Sequence, residues 1–123
     1  MFFRLDFQST VPIYRQIRDQ VVLAVADGRL TPGEHLPTTR ALAEDAGINV
    51  MTVSKAYQLL KAEGYLTADR RSGAVVCTPP GQKALTAEQL ARLQLLAGEA
   101  RLAGLSKKEF LALCAAVYGE TEG

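Results

Sequence analysis

Helical hydrophobic spacing and one strand-like alternation organise the first thirty residues of the chain. Apolar and polar residues alternate over residues 3–7, which predicts a short β-strand. From Ile13 onwards, apolar residues recur at every third or fourth position, as they do on one face of an α-helix. Pro12 suits the first turn of that helix, and Gly28 is a residue type that ends helices. The pattern therefore predicts a strand followed by a first helix.

Two more helices and a β-hairpin are predicted over the next fifty residues. Thr38 is a good N-cap for a short second helix that ends at Gly47, and Asn49 is a good N-cap for a third helix. Two short apolar segments, residues 65–67 and 74–76, then predict a hairpin with a basic tip. The buried face of the third helix is expected to contain Val53, Ala56, Tyr57 and Leu60.

The last third of the chain reads as a separate helical element. Residues 79–81 contain two prolines and a glycine, which predicts a linker. Thr86 and Ser106 each stand three residues before a glutamine or glutamate, the capping-box pattern that opens a helix. Two helices of this length cannot bury their apolar faces alone, so we expect residues 82–123 to pack on a second copy of the chain. The residues expected at this dimer contact are Leu90, Leu93, Leu96, Phe110, Leu113 and Val117.

Composition narrows the class of protein without identifying a function. The 123 residues are 48% hydrophobic, which suits one ordinary domain or a small domain with an appendage. No apolar run is long enough to span a bilayer, and the N-terminus lacks the features of a signal peptide, so we expect a cytoplasmic protein. The net charge of +1 says little about DNA binding, which depends on where the cations lie.

The residues that usually carry catalysis or bind metals are few and scattered. His35 is the single histidine, and Cys77 and Cys114 lie far apart in the sequence. Neither cysteine has a neighbouring cysteine or a clear activating charge, so we expect both to be reduced and partly buried. No metal-ligand spacing and no catalytic constellation can be assembled from these residues. The sequence therefore predicts a protein that is not an enzyme and needs no metal or cofactor.

The order of the elements, two helices joined by a tight glycine turn and followed by a hairpin, favours DNA binding. Such a pair can insert its second helix into the major groove. Ala43 is small where the helices would cross, and Val53 is apolar ten positions later, as close helix contact requires. The opposite face of the third helix is polar except for Met51, and Arg70 and Arg71 lie at the hairpin tip. We expect a mainly α fold with a small β wing: a winged helix-turn-helix followed by a two-helix element.

Motifs in five stretches of the chain agree in order and spacing with those of a known family. These stretches are residues 12–17, 28–43, 52–57, 63–64 and 73–76. Through them the chain resembles the GntR family of bacterial transcriptional regulators over roughly its first 78 residues, far more specifically than a generic helix-turn-helix would. The short two-helix tail resembles that of the YtrA subfamily.

The resemblance implies roles for individual residues. Arg40 occupies the position of a DNA-contacting arginine, and Gly73 occupies that of the glycine at the wing tip. The chain departs from the family at Val50 and Met51, where many YtrA-like members have Pro-Asn, so base preference does not carry over. Met51 is a candidate to contact a thymine methyl group. The complete set of expected DNA-contacting residues is Thr38, Thr39, Arg40, Asn49, Met51, Thr52, Ser54, Lys55, Arg70, Arg71 and Gly73.

Several of these side chains also have a simpler structural interpretation. Arg40 could pair with Glu44, one helical turn later, and Lys55 could be a solvated surface lysine. The resemblance favours DNA contact for Arg40 and leaves Lys55 open. Tyr57 is expected to pack in the core with its hydroxyl hydrogen-bonded, and His35 to be structural or exposed.

These patterns together predict a function and assign a separate role to each segment of the chain. Residues 1–78 are expected to bind DNA, residues 79–81 to form the linker and residues 82–123 to dimerise. We expect a homodimeric, sequence-specific regulator, a repressor by family tendency, that binds an inverted-repeat operator. Two other functions stay open: a winged-helix protein-interaction module, whose exposed face should be apolar, and a regulator gated by a small effector at the dimer seam.

Overall fold

The computed structural model describes residues 3–69 and 73–119. The chain divides into two compact units, and the boundary along the sequence falls between Pro80 and Gly81. The fold is mainly helical with one small antiparallel sheet, as the hydrophobic pattern predicted. The elements are α1 (Ile13–Ala26), α2 (Thr39–Ala46), α3 (Val50–Glu63), β1 (Leu66–Asp69), β2 (Gly73–Val76), α4 (Ala87–Leu102) and α5 (Lys107–Tyr118).

Side-chain caps define the starts of α2 and α3. The Thr38 hydroxyl accepts a hydrogen bond from the backbone N–H of Ala41 at 3.1 Å, and the Asn49 side chain accepts one from Met51 at 2.8 Å. Each cap satisfies a backbone donor that the first turn of a helix leaves without a partner. Between the helices, Gly47 adopts a left-handed conformation with φ of 68°, which glycine adopts without steric cost. The predicted helix–turn–helix is therefore confirmed.

The core of the first unit lies where α1, α3 and the hairpin meet. Its fully buried side chains include Ile17, Val53 and Val76, one from each of these elements. Burial of each such side chain contributes about 1.5–3 kcal/mol to folding. Tyr57 is also buried, and its hydroxyl donates to the carbonyl of Pro37 at 2.7 Å, as predicted. Burial raises the pKa of Tyr57, so the hydroxyl keeps its proton and remains a donor.

The hairpin is longer than predicted and has an additional partner. Its strands pair from Leu66 opposite Val76 to Asp69 opposite Gly73. The first strand ends two residues after the predicted segment 65–67, and the second begins one residue before the predicted segment 74–76. Residues 33–36 run along β2, where the Leu36 N–H donates to the Ala74 carbonyl at 3.0 Å. An isolated bridge also joins His35 to Val75, so exposed His35 has a structural position. This partner segment was not predicted, because Pro32 and Gly33 at its start indicate a turn.

The predicted strand at residues 3–7 is wrong. Within the part of the chain that the structure describes, no strand pairs with this segment; two glutamine side chains of α1 hydrogen-bond to its backbone instead. Gln20 accepts from the Arg4 N–H at 2.9 Å and donates to the Arg4 carbonyl at 2.8 Å. Gln16 does the same for Asp6, at 2.8 and 2.9 Å. The alternation of apolar and polar residues did correctly indicate which side chains of this segment face the core, since Phe3 and Leu5 pack against it.

A buried ion pair ties α1 to the end of α3. The Arg18 side chain is 11% exposed and donates two hydrogen bonds to Glu63, at 2.8 and 2.9 Å, and one to Asp19 at 2.8 Å. The hydrogen bonds that Arg18 donates to Glu63 raise the pKa of Arg18 above its ordinary value, although burial opposes the shift. The two carboxylates therefore keep the cation compensated inside the fold.

Removing the Glu63 charge is expected to destabilise the first unit. Glu63→Gln should lower the free energy of unfolding by about 1–2 kcal/mol, because a charge-assisted bidentate contact is lost while Asp19 still pairs with Arg18. Urea unfolding of the full chain measures this change. Glu44→Gln, at an exposed carboxylate of α2, is the control and should be near neutral. Equal stability of both variants would contradict the role of the Arg18–Glu63 contact.

The second unit is a pair of helices with well-defined starts. Thr86 with Gln89, and Ser106 with Glu109, form complete capping boxes, which confirms both predicted helix starts. The hydrogen bonds from Ser106 lower the pKa of Glu109, which keeps the box intact at neutral pH. Among the described residues, no helix combines the length and apolar character that crossing a membrane requires.

Candidate nucleic-acid interface

The outward face of α3 and its N-cap carry five of the eleven predicted DNA-contacting residues. A helix turns by about 100° per residue, which places Met51, Ser54 and Lys55 on one face, opposite the buried Val53 and Leu60. Met51 is 73% exposed. These side chains surround a shallow depression, the α3 hollow, which is lined by Tyr14, Asn49, Met51, Thr52, Ser54, Lys55 and Gln58. The structure thus brings together all five residues predicted on this helix.

A second depression, the wing hollow, joins the start of α2 to the hairpin. Its lining contains three predicted residues, Thr38, Thr39 and Gly73, together with Tyr57, Lys61, Ala68 and Ala74. Gly73 has φ of 81°, and a Cβ built on it would lie 3.9 Å from the Thr38 methyl group. A side chain at this position would therefore be strained by its backbone conformation, although space is available.

Lys61 is a cation of the wing hollow that the sequence reasoning missed. The helical spacing could have identified it, because Lys61 lies seven residues, or two helical turns, after Ser54 and therefore on the same face of α3. Its side chain is exposed, so its charge is available to an anion. Lys61 extends the polar face of α3 towards the hairpin.

Arg40 lies in the first turn of α2, next to the wing hollow but not among its lining residues. The side chain is exposed, and the pair with Glu44 that the sequence allowed is not formed. Within residues 3–69 and 73–119, the arginines in ion pairs are Arg15, Arg18 and Arg29. The predicted contacts of Arg70 and Arg71 fall outside the described residues.

Lys55 is held against an aromatic ring of another helix. Its ammonium group lies 4.1 Å from the centroid of the Tyr14 ring, within the range of a cation–π contact. The side chain is nevertheless exposed, so of the two interpretations left open for Lys55, a fully solvated lysine omits the contact with Tyr14. Tyr14 had not been predicted as part of this surface.

The second unit presents an apolar groove between α4 and α5, with a volume of about 700 Å³. Five of the six residues predicted for dimerisation line it: Leu93, Leu96, Phe110, Leu113 and Val117. Leu90 is exposed but lies outside this lining. Leu105, Tyr118 and the half-buried Cys114 line the groove as well. In the first unit, the equally half-buried Cys77 thiol donates to the Gly64 carbonyl at 3.1 Å.

Comparison with known proteins places the first unit in a family. Residues 13–76 match the family described as bacterial regulatory proteins, gntR family. The HTH-type transcriptional regulator Rv1152 of Mycobacterium tuberculosis is 32% identical over 109 residues, which cover 88% of this chain and 87% of that protein. The HTH-type transcriptional repressor YtrA of Bacillus subtilis is 38% identical over 73 residues, covering 59% and 56%. Other curated relatives are much longer proteins, of which the chain spans 13% to 33%.

Solved structures with the same fold extend the similarity beyond residues 13–76. YtrA from Sulfolobus acidocaldarius, a GntR-family transcription factor, is 35% identical with a TM-score of 0.63, covering 80% of this chain and 97% of that one. A transcriptional antiterminator from Listeria monocytogenes is 26% identical with a TM-score of 0.81, covering 100% and 98%. Both α4 and α5 therefore have counterparts in a solved relative.

Proposed function

This chain belongs to the gntR family of bacterial regulatory proteins and is YtrA-like, and on that premise we propose that it represses transcription as a homodimer on an inverted-repeat operator. It is a transcriptional regulator with a DNA-binding domain, and not an enzyme. We assign DNA binding to residues 1–78 and dimerisation to residues 82–123, joined by a linker at residues 79–81. A bacterial regulator meets its operator in the cytoplasm, where we expect this chain to act.

The exposed polar face of α3 is the observation that carries DNA binding. It presents hydroxyl and amide groups and one ammonium group, which suit phosphate oxygens and base edges. We place α3 in the major groove, with Met51 against a thymine methyl group and Lys55 on a phosphate. Arg40 then contacts a phosphate or a guanine, and the hairpin around Gly73 lies on the neighbouring backbone or minor groove. The wing hollow supports this arrangement because it joins α2 to the hairpin.

The apolar groove of the second unit supports a homodimer. Leu93, Leu96 and Leu113 are 43%, 56% and 51% exposed in the single chain, and Val117 is 86% exposed. Large apolar patches on a soluble protein usually mark an interaction surface, and a two-fold copy offers the same apolar chemistry in return. A two-fold dimer binds two half-sites in inverted orientation, about one helical turn of DNA or a multiple of it apart. Repression is inferred from the relative YtrA of Bacillus subtilis, which is named a repressor.

The salt dependence of duplex binding tests the DNA-binding proposal. The full chain is titrated against a labelled mixed-sequence duplex over a range of potassium chloride concentrations. We expect the logarithm of the binding constant to fall linearly with the logarithm of the salt concentration, by about 0.9 for each phosphate neutralised. Lys61→Gln should reduce the slope by about one such increment, because Lys61 is exposed beside the predicted backbone contacts. No binding at any salt concentration would favour a protein-interaction module instead.

A further inference from the structure

The contact between Tyr14 and Lys55 connects two helices at the proposed DNA surface. Tyr14 lies in the first turn of α1 and Lys55 near the middle of α3. The Lys55 ammonium group lies 4.1 Å from the ring centroid, and both residues line the α3 hollow. An aromatic face attracts a cation at this distance. The contact therefore favours one placement of the long lysine side chain on the surface.

This contact differs from an ion pair because it leaves the positive charge of Lys55 available to a ligand. A carboxylate would neutralise the lysine, whereas an aromatic ring orients the ammonium group and leaves its positive charge in place. Among the described ion pairs, none contains Lys55. Tyr14 is half-buried while Lys55 is exposed, so the ring is the fixed partner and the ammonium group faces the hollow. Its neighbours there, Ser54 and Gln58, offer further hydrogen bonds to an anion.

We propose that Tyr14 is a positioning residue, whose ring holds the Lys55 ammonium group over the α3 hollow to meet a backbone phosphate of bound DNA. A lysine side chain loses much rotamer freedom when it is fixed on a ligand. A ring that already restricts the side chain in the free protein reduces that loss on binding. The inference rests on the proposed DNA-binding function and adds to it the role of a residue on α1.

A double-mutant cycle on operator affinity tests this role. The probe is a duplex that the wild-type chain of 123 residues enriches from a random library. We expect Tyr14→Leu to bind it roughly two- to fivefold more weakly, and Tyr14→Phe to bind as wild type because the ring is retained. In the Lys55→Gln background, Tyr14→Leu should cause no further loss, because the ring then has no cation to hold. Melting temperatures of all variants separate a binding effect from a loss of folded protein.

Three results would overturn the role of Tyr14 while leaving DNA binding intact. Tyr14→Leu could bind as tightly as wild type, or its loss could be the same with and without Lys55. Tyr14→Phe could also bind as weakly as Tyr14→Leu, which would assign the effect to the hydroxyl. Failure of the wild-type chain to enrich or bind any duplex would overturn the proposed function, and the role of Tyr14 with it.

Discussion

Arg40→Ala is expected to weaken operator binding by about five- to a hundredfold while leaving the melting temperature unchanged. The arginine is exposed, forms none of the ion pairs within the described part of the chain, and lies in the first turn of α2 next to the wing hollow. Its removal therefore takes away a ligand contact and costs the fold little. Fluorescence anisotropy titration of a labelled operator duplex measures the affinity.

Arg29→Ala provides the matched control for Arg40→Ala. Arg29 is also exposed and belongs to the same unit, but it pairs with Asp27 at 2.8 Å and lines neither hollow. Both variants lower the net charge equally, so a general electrostatic effect would weaken binding in both. A loss confined to Arg40→Ala assigns the contact to that residue. Equal affinities of the two variants would show that Arg40 makes no specific contact.

Leu113→Asp is expected to convert the proposed dimer into a monomer and to raise its dissociation constant by at least about a hundredfold. Leu113 lines the apolar groove, and in a two-fold dimer the substitution enters the contact twice. Each copy loses apolar burial and places an unpaired carboxylate in the interface. Light scattering coupled to size-exclusion chromatography reports the mass. Operator binding should weaken as well, because a monomer contacts one half-site at a time.

Leu111→Asp is the matched control on the same helix. Leu111 is 53% exposed and Leu113 is 51% exposed, but only Leu113 lines the groove. The two variants therefore carry the same charge change on equally exposed positions of α5. We expect Leu111→Asp to remain dimeric and to bind the operator normally. A monomeric Leu111→Asp, or a dimeric Leu113→Asp, would contradict the proposed use of the groove.

Local signals in the sequence predicted the helices well because their ends depend on local chemistry. Thr38, Asn49, Thr86 and Ser106 all cap the helices expected from them, and Gly47 turns between α2 and α3. These hydrogen bonds join residues two or three positions apart, so a short stretch of sequence already contains both the donor and the acceptor. The GntR resemblance, confirmed by the family match to residues 13–76, came from the same short-range motifs.

Contacts between distant residues were the part that the sequence could not predict. Alternation at residues 3–7 indicated a strand, but Gln16 and Gln20 of α1 take up its backbone groups instead. Residues 33–36 pair with β2 although Pro32 and Gly33 indicate a turn. The approach of Tyr14 to Lys55 depends on how α1 packs against α3. In each case the two partners lie at least ten residues apart, or one belongs to a segment with a different local preference.

Selection of bound duplexes from a random library by the full chain, at two salt concentrations, tests the central claim most directly. A sequence-specific dimeric regulator should enrich an inverted repeat whose half-sites lie about one helical turn or a multiple of it apart. Affinity for that repeat should exceed affinity for unselected duplex at both salt concentrations, because base contacts add to the salt-sensitive phosphate contacts. Salt-sensitive binding without any enriched sequence would contradict an operator-specific regulator.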